Sequence, residues 1–179
     1  LGTELYRDET EALMQPELLY RPYRLPNGAV GIFRDRVVSD RIGFAYGGMD
    51  PRDAAGDLIG KLARARERLP DQGGPWLASI ILDGENAWEG YPNNGNDFLR
   101  RLYGQFEADD RFETVRISEF LDANPPTAEL PALHSGSWID ASYRVWIGEQ
   151  THLQAWTALE ATRSFAQRQW GSLREMPTN

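Results

Sequence analysis

The sequence predicts an α/β fold in which parallel strands alternate with helices. The strongest indication is GGPWLASIILD, residues 73–83, a largely apolar run of strand length. Such runs are typical of strands that are covered on both faces, as in parallel sheets. Amphipathic helix patterns lie on either side of this run. Strands and helices alternate in this way in βαβ units, where ligands bind beyond the carboxyl ends of the strands.

Composition and charge limit the possible classes of function. The chain has 179 residues, of which 41% are hydrophobic, and this length fits one domain with a substantial core. It has no cysteine and two histidines. Disulfides and thiolate zinc sites are therefore excluded, and a His-rich metal site or a Ser-His-Asp triad is not expected. The net charge of −8 argues against nucleic acid as a partner.

The sequence also gives expectations about membranes, cofactors and location. No apolar run is long enough to cross a bilayer, and no basic and then apolar leader opens the chain. We therefore expect no membrane partner and a cytoplasmic location. We also expect no cofactor and no metal.

The first 49 residues are expected to be mostly extended or irregular. Residues 1–25 are rich in proline, tyrosine and arginine, which predicts a loop. AVGIFRD, residues 29–35, has the β-branched and aromatic content of a strand. RIGFAYG, residues 41–47, is a weaker candidate for a second strand.

Two helices flank the apolar run. The first begins with Asp50 as N-cap and Pro51 at the first helical position, and it ends near Leu69. Its apolar stripe comprises Ala54, Leu58, Leu62 and Ala65. The second helix is predicted over residues 97–108, with five apolar or aromatic residues at helical spacing.

The last third of the chain carries three further patterns. FETVRIS, residues 112–118, alternates like a short strand, and ISEFLDANPP indicates a single helical turn that ends before Pro125. An aromatic and loop-like region follows. A long helix is then predicted over residues 151–170, and its inward side chains are expected to be Leu153, Trp156, Leu159 and Ala166.

An acidic and aromatic loop follows the apolar run, with Asp83, Glu85, Trp88 and Glu89 close together. Sugar-binding sites use these residue types, because aromatic faces pack on pyranose C–H surfaces and carboxylates bind hydroxyl groups. In the structural alternative, Asp83 caps a turn, the glutamates are solvated and Trp88 closes the end of the sheet. Calcium binding is a third interpretation, although the regular alternation of a helix-loop-helix calcium site is absent.

Three blocks of the sequence stand out: ELLYRPYRLPNGAVGIFRDRVVSDRIGFAY, ILDGENAWEGYPNNGNDFLRRLY and GSWIDASYRVWIGEQTHLQAWTALEATR. They resemble consecutive blocks of glycoside hydrolase family 57, particularly its amylopullulanase-like and uncharacterised members. The resemblance implies a retaining enzyme that acts on α-glucans. It also implies the later part of a (β/α)7-type barrel in residues 1–133, with an aromatic loop and a C-terminal helix in residues 134–179 that pack on the barrel.

The resemblance carries the general acid/base of the family onto Asp83. A general acid must hold a proton at working pH, and apolar and acidic neighbours favour the protonated form of a carboxyl group. Retention also needs a second carboxyl about 5–5.5 Å from the first. The matching glutamate of the family would fall just before Leu1, and Glu85 is too close to Asp83 along the chain to replace it. We therefore expect little activity from the isolated chain.

The remaining candidates have two interpretations each. Arg34, Asp35, Asp40 and Arg41 are expected either to line the substrate cleft or to form structural ion pairs. Trp138 is expected to be either a sugar-stacking platform or a core residue. The alternative function is a non-catalytic carbohydrate-binding or structural remnant of such an enzyme. The expected partners are a polysaccharide or oligosaccharide substrate and either the missing N-terminal half of the barrel or a second copy of the chain.

Overall fold

The computed structural model describes residues 16–85, 87–137 and 141–170. Contacts divide the chain into two compact units, residues 1–133 and residues 134–179. The described part of the first unit contains short strands, helices and two 3-10 turns. In chain order these are α1 (Pro16–Leu19), β1 (Tyr23–Arg24), β2 (Val30–Gly31), α2 (Arg36–Phe44), a 3-10 turn (Tyr46–Gly48), α3 (Pro51–Arg66), a 3-10 turn (Pro92–Gly95), α4 (Asn96–Glu107), α5 (Ile117–Ala123) and β3 (Ala128–Glu129).

The strands form one small mixed sheet with the order β2-β1-β3. Strand β1 pairs antiparallel with β2, and Tyr23 lies opposite Gly31. Strand β1 pairs in parallel with β3, and Tyr23 lies opposite Ala128. The described residues therefore mix helices and strands, as the α/β prediction requires, but their sheet is smaller than predicted and is not all parallel.

The two helices predicted around the apolar run are confirmed. Helix α3 begins after Asp50, whose side chain accepts a hydrogen bond from the Arg52 amide at 2.9 Å, and Pro51 occupies the first turn. The four residues of the predicted apolar stripe are all buried. Helix α4 lies within one residue of the predicted bounds and buries Phe98 and Leu102.

The main core lies between α3 and α4 and is completed by α2. It combines small and aliphatic side chains of α3 with a group of aromatic rings, which we call the aromatic cluster: Tyr46, Trp88, Tyr91 and Phe98. Phe98 is at the centre of this cluster, and its ring centroid lies 5.5 Å from that of Tyr91 and 5.8 Å from that of Tyr46. Tilted and edge-to-face ring pairs at such distances add stability beyond burial alone.

Two predicted strands are not formed. Residues 41–47 are not a strand, because α2 and the following 3-10 turn occupy them. Asp35 caps α2 by accepting a hydrogen bond from the Val38 amide at 3.2 Å, so a helix begins where the sequence indicated a polar connection. Residues 112–118 form no strand either, and α5 already begins at Ile117.

The apolar run at 73–83 also differs from the prediction. It forms a single parallel bridge, between Ser79 and Arg34, and is not buried on both faces. Leu77 and Ser79 are buried, whereas Ala78 and Ile81 are exposed. The cause is the start of α2, because the neighbouring chain turns into a helix at Asp35 and offers no further strand backbone to pair with.

The described part of the second unit contains helix α6 (Gln150–Trp170), which confirms the predicted bounds within one residue. The prediction of which of its side chains point inward is mostly wrong. Ala166 is buried, but Leu153, Trp156 and Leu159 are exposed. The Trp156 indole donates a hydrogen bond to the Trp146 carbonyl at 2.9 Å. Among the helices of the described residues, none is long and apolar enough to cross a membrane.

Candidate functional site

Asp83 is the last residue of the apolar run, residues 73–83, which we call the segment. The chain enters the acidic loop, residues 83–89, at this point. The Asp83 side chain is exposed. Within the described part of the chain, no hydrogen bond or ion pair occupies its carboxyl group. The carboxyl is therefore accessible to solvent, and its position depends on how the backbone before it is held.

The first part of this segment is held by backbone hydrogen bonds. The Leu77 amide donates to the Tyr20 carbonyl at 2.8 Å. Two residues later, the Ser79 carbonyl accepts from the Asp35 amide at 2.9 Å. Beyond Ser79 this pairing stops, since Asp35 is already the N-cap of α2.

Two side chains replace the missing backbone partners at Ile81. Its amide donates to Ser39 Oγ at 3.2 Å, and its carbonyl accepts from Arg34 Nε at 2.9 Å. Ser39 is fully buried. We call these two contacts the Ile81 clamp. The clamp holds both backbone polar groups of Ile81, which lies two residues before Asp83.

Arg34 is itself held by Asp40. The Asp40 carboxyl accepts from a terminal nitrogen of Arg34 at 2.6 Å and from Arg36 Nε at 3.1 Å. Both Arg34 and Asp40 are partly exposed, whereas Arg36 is largely exposed. Of the two predicted interpretations, ion pairing is therefore present for Arg34 and Asp40, and both side chains remain partly exposed.

Asp35 has a structural position. It is only 2% exposed, and one of its carboxyl oxygens accepts the Val38 amide that begins α2. The other oxygen accepts a hydrogen bond from the Tyr20 hydroxyl. Burial, and next to it the charge of Asp35, raise the pKa of Tyr20 above its usual range. Since Asp35 is buried and both of its oxygens are used, the predicted role in the substrate cleft does not fit it.

The far end of the acidic loop is held by aromatic packing. Trp88 is half-buried and packs edge-to-face on Tyr91, with ring centroids 5.5 Å apart. The Tyr91 hydroxyl donates to the Ile42 carbonyl in α2 at 2.6 Å. Gly47 lies so close to this loop end that a Cβ atom built on it would come within 2.7 Å of the Gly90 carbonyl oxygen.

The other predicted residues of the loop are accessible. Glu85 and Glu89 are both exposed. In the residues that the structure describes, no group of three or more histidine, aspartate or glutamate side chains is arranged to hold a metal ion. Trp138 lies outside the described residues.

Three residues of the site were not predicted from the sequence. Ser39, Tyr91 and Tyr20 all make hydrogen bonds that fix the segment or the loop. Ser39 lies 42 residues from its partner and Tyr91 lies 49 residues from its partner. One local signal could have helped to find Ser39. If Asp35 had been recognised as a helix N-cap, Ser39 would have been placed on the first turn of α2.

Accessible carboxylates next to an aromatic ring offer the two kinds of group that a sugar can bind, since carboxylates accept hydrogen bonds from hydroxyl groups and ring faces pack on C–H surfaces. The sequence model of glycosyl hydrolase family 57 matches residues 4–133. Since this match covers more than half of the chain, the protein belongs to glycosyl hydrolase family 57. The first two blocks of the predicted resemblance lie inside the match, and the third block, residues 136–163, lies beyond it. No curated protein matches the chain.

Proposed function

We propose that this chain supplies the general acid/base, Asp83, of a retaining glycoside hydrolase or glucanotransferase that acts on α-glucans. One observation carries the proposal. In a chain of glycosyl hydrolase family 57, Asp83 is an exposed carboxyl whose preceding backbone is fixed on both sides by the Ile81 clamp. A general acid needs such a combination, because it must reach the substrate and must also be held in position.

The proposed chemistry has two steps. Asp83 first donates its proton to the bridging oxygen as the glycosidic bond breaks and a carboxylate nucleophile attacks the anomeric carbon. Asp83 then removes a proton from the acceptor that displaces the enzyme. A water acceptor gives hydrolysis, and a sugar hydroxyl gives transfer.

The nucleophile of this proposal is a glutamate outside the 179 residues. Glu85 is unsuited to the role because it is only two residues from Asp83, and the two carboxyls of a retaining enzyme act on opposite sides of the scissile bond. We propose that the first unit is the later part of a (β/α)7-type barrel. The missing half of the barrel then supplies this glutamate and completes the site, whereas a second copy of the chain could only cover the open edge of the barrel.

Substrate contacts are proposed for the exposed groups near Asp83. Glu85 and Glu89 are accessible and can accept hydrogen bonds from sugar hydroxyl groups, and the exposed part of the half-buried Trp88 is a candidate platform for a pyranose ring. Arg34 and Asp40 are partly exposed beside the same segment and are candidates for a subsite wall.

The test is Asp83→Asn in the complete polypeptide. We expect kcat/KM for a maltooligosaccharide to fall by about 10²- to 10⁴-fold, the usual contribution of a general acid. The loss for a dinitrophenyl α-maltoside should be much smaller, because its leaving group departs without a proton. Both values report the steps up to formation of the glycosyl-enzyme.

Asp71→Asn is the matched control, since Asp71 is also an exposed aspartate in the part of the chain that connects α3 with α4. We expect it to leave both activities unchanged, and we expect neither variant to change the melting temperature. Unchanged turnover of the maltooligosaccharide by Asp83→Asn would refute the assignment. Glucan binding without turnover in the unsubstituted protein would instead favour the non-catalytic alternative.

A further inference from the structure

The backbone before Asp83 is held in an unusual way for the end of a strand. A strand normally satisfies its amides and carbonyls against the backbone of a neighbouring strand. Here the amide and the carbonyl of Ile81 are satisfied by two side chains, Ser39 Oγ and Arg34 Nε. Ser39 lies in the first turn of α2, and Arg34 lies directly before its N-cap Asp35, so the segment that ends at Asp83 is attached to the entry into this helix.

Burial alone does not hold this part of the segment. Ile81 is 45% exposed, so apolar packing of its side chain contributes little to its position. Ser39, in contrast, is fully buried and belongs to α2, which packs into the main core. The clamp therefore connects an exposed segment with a rigid part of the molecule through directional hydrogen bonds.

We propose that Arg34 and Ser39 are positioning residues that set the location of the Asp83 carboxyl through the backbone of Ile81. The proposal rests on the proposed general acid/base role of Asp83. Proton transfer requires a heavy-atom distance within hydrogen-bond reach, and a displacement of about 1 Å costs on the order of 100-fold in rate. If the clamp is loosened, the rate of the protonation step should therefore fall more than the affinity for the substrate.

The chain offers a matched pair of arginines for the test. Arg34 and Arg36 both form an ion pair with Asp40, but Arg34 alone of the two donates to Ile81. Arg34→Lys keeps the positive charge near Asp40 and removes the planar fork that serves Asp40 and Ile81 together. Arg36→Lys makes the same chemical change at a residue that forms no hydrogen bond with Ile81. Ser39→Ala removes the other half of the clamp.

The first measurement is kinetic and uses the complete polypeptide. We expect Arg34→Lys and Ser39→Ala to lower kcat/KM for a maltooligosaccharide by about 10- to 100-fold, through kcat and with little change in KM. The loss of kcat/KM with dinitrophenyl α-maltoside should be several-fold smaller, because formation of the glycosyl-enzyme from this substrate does not need the acid. Arg36→Lys should match the unsubstituted protein with both substrates. An equal loss with both substrates would overturn the positioning role and indicate a general structural defect.

The second measurement does not depend on activity. Hydrogen exchange of the Ile81 amide, followed by NMR or in a peptide that covers residues 77–83, should be faster in Ser39→Ala and unchanged in Arg36→Lys. Unchanged exchange in Ser39→Ala would overturn the clamp itself. If exchange rises while Asp83→Asn keeps full activity, the proposed function has failed although the contact exists. If Asp83→Asn is inactive while both clamp variants keep full activity, the positioning inference alone is wrong.

Discussion

The acidic loop is attached to the rest of the protein differently at its two ends. Its start is fixed by the Ile81 clamp, which consists of hydrogen bonds from Ser39 and Arg34. Its end is fixed by the rings of Trp88 and Tyr91, which pack on Phe98 in the main core. Hydrogen bonds fix direction at a modest net gain in stability, whereas buried rings contribute several kcal/mol and tolerate small shifts.

Because of this difference, substitutions at the two ends of the acidic loop should have different effects, on stability at one end and on the proposed reaction at the other. Substitutions at the aromatic end should mainly lower the free energy of unfolding, because the same rings form the core between α3 and α4. Substitutions at the polar end should mainly change the rate of the proposed reaction. Changes at the aromatic end, taken from the largest expected effect to the smallest, test this contrast.

The largest effect on stability is expected for Phe98→Ala. Phe98 is 2% exposed and contacts three other rings, so its removal leaves a cavity in the centre of the aromatic cluster. We expect the free energy of unfolding in urea to fall by about 3–5 kcal/mol. Tyr103→Ala on the same helix is the control; its side chain is 58% exposed, and a change of about 0.5 kcal/mol or less is expected. Equal losses would show that the rings are not the anchor.

A smaller effect is expected for Gly95→Ala, which acts on Trp88 directly. Gly95 has φ of +73°, and a Cβ atom there would lie 2.8 Å from Cε3 of Trp88. We expect a loss of about 1–3 kcal/mol from strain and displacement of the indole. Gly104→Ala is the control, because a Cβ at this position in α4 meets nothing within 4 Å. It should stabilise the protein by about 0.5–1 kcal/mol, so the two variants should differ in sign.

The helices could be predicted from the sequence because their determinants are local. Asp50, Pro51 and an apolar stripe define α3 within one stretch of chain, and α4 has the same kind of periodicity. The extent of α6 could be predicted in the same way, but the exposure of Trp156 could not, since periodicity does not say what covers a helix face.

The strands and the details of the site depend on contacts that are distant in sequence. The apolar run at 73–83 has the composition of a buried strand, yet the start of α2 ends its pairing after Ser79. Asp83 could be selected by its place after that run and by the family resemblance. Ser39 could not, because a lone serine between valines and an aspartate has no pattern that indicates a partner 42 residues away.

The smallest effect is expected for Tyr91→Phe, and it depends on pH. The Tyr91 hydroxyl donates to the Ile42 carbonyl at 2.6 Å, and removal of a neutral hydrogen bond of this kind costs about 0.5–1.5 kcal/mol. Burial raises the pKa of Tyr91 to about 12, from an ordinary value of about 10.

The folded protein thus binds the phenolic proton more tightly than the unfolded chain, so the contribution of Tyr91 to stability is complete below about pH 10 and is lost as the pH rises toward 12. Tyr91→Phe lacks this titration. The difference in free energy of unfolding between the two proteins should therefore be largest at neutral pH and should shrink between about pH 10 and pH 12. The other tyrosines are common to both proteins and cancel in the difference, except for a small contribution from Tyr46, whose pKa the charge of Tyr91 raises slightly. A difference that stays constant over this range would mean that the Tyr91 hydroxyl is not held in the core, and the aromatic anchor of the loop would then rest on ring packing alone.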